Sequence, residues 1–82
     1  MNSRFMLDRA IALSKRLERE SDDRATRIAR AYSLLYGRPP TDREQRLADG
    51  FLKGTQPVAS QLTRWQQYCQ ALLSANEFMY IR

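Results

Sequence analysis

The stretch GRPPTDRE, residues 37–44, decides the fold. Gly37 ends a helix, because glycine takes the left-handed conformation that a helix terminus often needs. Pro39 and Pro40 block a restart, since proline lacks a backbone N–H and restricts the residue before it. Thr41 and Glu44 have the spacing of a capping box, in which each side chain satisfies the other's orphan backbone donor. One helix therefore stops and another starts within eight residues, and the chain must turn back on itself.

Working outward, the segment before the loop carries Ala25, Ile28, Tyr32 and Leu35 at helical spacing, with Ala29 and Tyr36 beside them. Ser21, Asp22 and Asp23 break the chain ahead of it, and each is a competent cap for this second helix. Upstream, Met6, Ala10, Leu13 and Leu17 mark one face of a first helix spanning 1–20, flanked by Phe5 and Leu7 and capped by Asn2 or Ser3. Downstream of the loop, a third helix over 42–53 points Leu47, Ala48, Phe51 and Leu52 inward. Gly50 weakens it or permits close helix approach, and Gly54 ends it. After a linker over 55–57, Val58, Leu62, Trp65, Cys69 and Leu72 make the cleanest stripe in the chain, a fourth helix that ends near Asn76. Phe78, Met79, Tyr80 and Ile81 follow as a last turn or a short extended tail. No strand pattern or internal repeat is present. The expectation is an all-α, four-helix bundle-like module over residues 1–82, with short connections that favour antiparallel neighbours.

Bulk properties agree. A chain of 82 residues has the length of one small domain, or of a piece of a larger protein, and a modest core is expected of it. At 43% hydrophobic and 28% charged, it is too apolar for a disordered segment. No run approaches the roughly 20 apolar residues of a membrane span. Asp8, Arg9, Lys15 and Arg16 interrupt any apolar stretch of signal-peptide type at the start. With one cysteine and no histidine, an internal disulfide is excluded and a zinc site is disfavoured.

Catalysis finds little support. Ser14, Ser33, Ser60 and Ser74 have no histidine to act as base, and Lys15 and Lys53 belong to exposed positions. No haem-attachment motif or glycine-rich phosphate cradle occurs, so no cofactor is expected, and Met6 and Met79 read as core filler. The net charge of +5 and the twelve arginines favour acidic partners, nucleic acid among them. Arg9, Arg16, Arg24, Arg27 and Arg30 would compose such a surface, while Gln66 and Gln67 suit base reading. Acids are interleaved with these cations, so a salt-bridged surface is the plainer expectation. Arg38 is expected to clamp the loop by pairing with Glu44 or Glu77, and Asn76 to cap a helix end. Trp65 is expected in the core. Phe78, Tyr80 and Ile81 form the expected docking surface for another chain or for the rest of a parent protein.

The chain resembles the C-terminal end of a planctomycete cytochrome-associated family, domain of unknown function fifteen fifty-three. Asn2, Phe5 and Ala10 stand where that family has N-x-x-F-x-x-x-x-A. Arg30 and Tyr32 lead into Gly37, Arg38, Pro40, Thr41, Glu44, Phe51 and Leu52 of its central string. Trp65, Ala71, Leu72, Leu73, Asn76, Glu77, Phe78 and Tyr80 match its closing W-x-x-x-x-x-A-L-L-x-x-N-E-F-x-Y. The resemblance implies the terminal module of a longer, exported bacterial protein, joined to or encoded with a haem domain, and it brings no catalytic residues. A looser likeness, to repeat modules of bacterial surface proteins and phycobilisome-linker-like domains, also implies an interaction module.

Overall fold

Local chemistry at the helix ends sets the architecture. The structure, a computed structural model, describes residues 3–54 and 61–80; for Ser3 and residues 77–80 it describes the backbone alone. Among the described residues there are four helices and no strand: α1 (Ser3–Glu20), α2 (Arg24–Tyr36), α3 (Asp42–Leu52) and α4 (Arg64–Tyr80). The all-α, bundle-like expectation holds.

Asp23 is the residue of the polar break that caps α2. Its carboxylate accepts from Thr26 N at 2.9 Å and from Thr26 Oγ1 at 2.7 Å. Ser21 Oγ in turn accepts from Asp23 N at 3.0 Å, which fixes the turn before the cap. Helix α2 stops at Gly37, which has φ +69° and donates its N–H to Ser33 O at 3.1 Å. At the start of α3, Glu44 N donates to Thr41 Oγ1 at 3.1 Å and Thr41 N donates to Glu44 Oε1 at 2.9 Å. The 37–44 turn therefore carries a reciprocal cap.

Helix α4 differs from expectation at both ends. It begins at Arg64, well after Val58, which lies outside the described residues. A second reciprocal cap explains the start: Gln66 N donates to Thr63 Oγ1 and Thr63 N donates to Gln66 Oε1, both at 3.1 Å. Thr63-Arg64-Trp65-Gln66 has the T-x-x-Q form of a capping box, and a local cap outcompetes the apolar period that Val58 and Leu62 seemed to continue. The helix also runs past Asn76 to Tyr80, because no glycine or proline interrupts residues 71–80.

Helix α4 packs against all three other helices, most extensively α1, while α1 and α3 share no packing among the described residues. The core joins Met6, Ala10 and Leu17 of α1, Ile28, Ala31 and Tyr32 of α2, Ala48 of α3, and Tyr68, Cys69, Leu72 and Leu73 of α4. Ser14 is fully buried in α1, where its hydroxyl donates to Ile11 O at 2.8 Å. Trp65 packs against this core, partly buried, and its Nε1 donates to Ser14 O at 3.2 Å. On α2, Ala31 takes the buried position expected of Ala25, which is exposed. The radius of gyration, 12.4 Å, is close to the roughly 12 Å of a compact domain this size.

Helix α3 departs most from expectation. Ala48 is its one buried residue, Leu52 is partly covered, Leu47 is 64% exposed and Phe51 36% exposed. Leu47, Ala48, Phe51 and Leu52 span an arc wider than a short helix can bury against α4 and α2. The Ala48–Leu52 edge faces inward, and Leu47 and Phe51 are left at the surface. Gly50 does not mark a close helix approach, since a Cβ there would meet nothing within 4 Å.

Candidate functional site

The α2–α3 turn and the middle of α4 together build one locale. Arg38 leaves the turn directly after Gly37, and the α3 cap holds Glu44 in reach of it. The two make a fork-to-fork pair, Nη1–Oε1 at 2.8 Å and Nη2–Oε2 at 3.0 Å. Arg38 Nη1 also donates to Pro39 O at 3.0 Å. Its guanidinium carbon lies 5.6 Å from the ring centroid of Tyr32 and 5.9 Å from that of Tyr36, within cation–π range. The Arg38 hydrogen bonds, then the bond from Thr41 N, draw the Glu44 carboxyl down to about 2. Arg38 thus joins the turn, the start of α3 and the last rings of α2.

Tyr36 ties this turn to α4. Its hydroxyl donates to Leu72 O at 2.8 Å, and burial raises its proton affinity above that of an ordinary tyrosine. Burial also raises Tyr68, with Tyr32 adding to the effect. The rings form two groups: Tyr32 and Tyr36 have centroids 5.2 Å apart, while Tyr68 lies 6.0 Å from Trp65 and 6.1 Å from Phe51. Between α3 and α4, Phe51 and Tyr68, with Tyr32, border an open groove of about 220 Å³. Leu47, Ala48, Phe51, Tyr68, Ala71 and Leu72 form its apolar wall, and Glu44 stands at its rim.

Of the residues expected to form the loop clamp, Arg38 and Glu44 stand together. Asn76 does not cap a helix end. It lies inside α4, partly buried, and its Oδ1 has no hydrogen-bond partner among the described residues. The side chains of Glu77, Phe78 and Tyr80, and all of Ile81, lie outside the description, so pairing of Arg38 with Glu77 and the expected C-terminal docking surface lie there too. Sequence reasoning missed the outward Leu47 and Phe51, although their separate i, i+4 row beside Ala48 and Leu52 carried the signal.

Most of the arginines expected to compose an anionic-ligand surface have internal tasks. Glu20 accepts from Arg16 Nε and Arg30 Nε, each at 3.1 Å, and so bridges α1 and α2. Arg27 donates through Nε to Ser21 O and through Nη2 to Glu18 O at 3.4 Å, which covers carbonyls at the end of α1. Arg9 lies over the Phe5 ring at 5.5 Å. Gln66 is the reciprocal partner in the α4 cap, and Gln67 Nε2 donates to Leu62 O at 3.1 Å.

No protein-family model, curated protein or solved structure matches this chain. None of the described helices is long and apolar enough to cross a membrane.

Proposed function

We propose that this chain is a non-catalytic helical interaction module that takes up an apolar segment of a partner polypeptide in the groove between α3 and α4. One observation carries the proposal: of the four large apolar side chains exposed among the described residues, Phe5, Leu34, Leu47 and Phe51, it is Leu47 and Phe51 that stand together on the apolar wall of this groove. The capped 37–44 turn acts as the rigid edge of the groove. Arg38 and Glu44 neutralise each other there, so the rim presents little net charge to an incoming apolar segment. On the resemblance drawn from the sequence, which no family model supports, the partner is the rest of a parent protein; a separate chain is the other source.

A photo-crosslinking residue at position 47, compared with one at the exposed Lys15 on α1, tests this in the cells that make the protein. The expected result is one adduct of defined mass from position 47, none from position 15, and its loss on Phe51→Glu. Equal adducts at both positions, or none at either, would refute the groove as the docking surface. The alternative, a small basic nucleic-acid binder, makes a separate demand: duplex or single-stranded DNA must bind, with affinity falling steeply as salt rises.

A further inference from the structure

A second cavity, of about 270 Å³, lies on another part of the molecule, where the first turns of α2 and α4 approach the end of α3. Arg24, Arg27, Leu52, Thr63, Arg64 and Trp65 line it. Three arginines thus border one small space. Arg27 has carbonyl partners and a distant carboxylate, Asp22, at 3.8 Å. Among the described residues, neither Arg24 nor Arg64 has an ion-pair partner.

Arg64 is placed with care. Its guanidinium carbon sits 4.6 Å from the Phe51 ring centroid, and its Nε is buried without a hydrogen-bond partner. Its guanidinium also lies so close to the Gly54 backbone that any Cβ at position 54 would overlap Nη2 and Cζ. Glycine at 54 therefore makes room for the arginine, which is held between that backbone and an aromatic face. Such a preset cation loses little entropy when it takes an anion. Thr63, Arg64 and Trp65 are the cap and first residues of α4, so the positive end of that helix dipole borders the same space. Like charges gathered around one cavity repel, and a multivalent anion relieves the repulsion while adding charge-assisted hydrogen bonds.

We propose that this cavity binds the phosphate group of a small molecule, with Arg24 and Arg64 as its principal ligands and Arg27 completing the ring of charge. Trp65, the single tryptophan of the chain, lines the cavity and provides the readout. The experiment titrates the intact chain with inorganic phosphate, with methyl phosphate, and with acetate at matched ionic strength, following tryptophan emission and Tm. Either phosphate species is expected to change emission saturably and, at about 20 mM, to raise Tm by a few degrees over acetate. The tighter of the two identifies the source as a free ion or a monoester. Arg24→Gln alters an exposed side chain and should weaken half-saturation several-fold with an unchanged far-ultraviolet circular dichroism spectrum. Gly54→Ala should do the same by displacing Arg64. Equal responses to phosphate and acetate, or an unchanged half-saturation in Arg24→Gln, would overturn the proposal.

Discussion

Replacing Glu44 by alanine removes three interactions through one side chain: the bond from Thr41 N and both bonds from Arg38. Loss of a helix cap costs about 0.5–2 kcal/mol, and this one also releases the arginine that braces the turn, so about 1.5 kcal/mol is the working figure. For 82 residues the unfolding entropy is roughly 170 cal/mol/K, so Tm should fall by about 9 °C at pH 7. Thermal melts followed by circular dichroism at 222 nm measure this directly. The pH dependence supplies a sharper test. Glu44 has its carboxyl lowered from 4.5 to about 2 in the fold, so its stabilisation is fully present above pH 4.5 and fades as pH falls toward 2. The Tm gap between the parent and Glu44→Gln, which keeps an acceptor but no titration, should therefore close across that window. Arg38→Ala should also destabilise, and the double variant should lose less than the sum of the two single losses, because both break the same bonds. A Glu44→Ala melt within about 2 °C of the parent, strict additivity, or a gap to Glu44→Gln unchanged between pH 7 and pH 2.5 would refute the reasoning.

The glycines provide two further tests of opposite sign. Gly50→Ala should raise stability by up to about 1 kcal/mol in urea unfolding, because the site is an exposed helix interior with open space around a new Cβ. Gly37→Ala should lower it by about 1–2 kcal/mol, since φ there is +69°. Cys69 should react with a disulfide reagent at pH 8 no faster than the chain opens, because its side chain is fully buried and burial pushes its thiol up to about 12. Rapid stoichiometric labelling of the folded protein would contradict that burial.

Elements bounded by strong local chemistry were legible in the amino-acid order. The 37–44 turn is the clearest case: glycine, two prolines and a threonine–glutamate cap each act within a few residues, and tertiary contacts had nothing to override. Asp23 was less legible, because Ser21, Asp22 and Asp23 are equally competent caps in isolation. The choice follows from Thr26, whose backbone and hydroxyl both reach the Asp23 carboxylate. The start of α4 was misread for a related reason. An apolar period says which face is buried once a helix exists, and it does not say where the helix begins. Thr63 and Gln66 say that, and their box was overlooked beneath a regular stripe.

The candidate sites were harder to read because they depend on what is left over after packing. A pattern of apolar residues cannot distinguish four that are buried from two that are buried and two that are displayed. That division depends on how much of α3 its neighbours can cover, and α1 does not reach it. Charge has the same ambiguity. Arg16, Arg27 and Arg30 look alike in a sequence, yet each has its partner at the junction of α1 and α2, where a helix ends and exposes carbonyls. Arg64 stands apart from that basic run in the sequence. Its setting comes from three elements at once: the α4 cap that launches it, the Phe51 ring that faces it and the glycine that makes room for it. Gly54 lacks the positive φ with which Gly37 ends α2, and the two readings of it separate experimentally. If it served only to end α3, alanine there would cost stability and leave the anion response intact. If it makes room for Arg64, alanine should spare most of the stability, because a flexible side chain can move away, and weaken half-saturation several-fold.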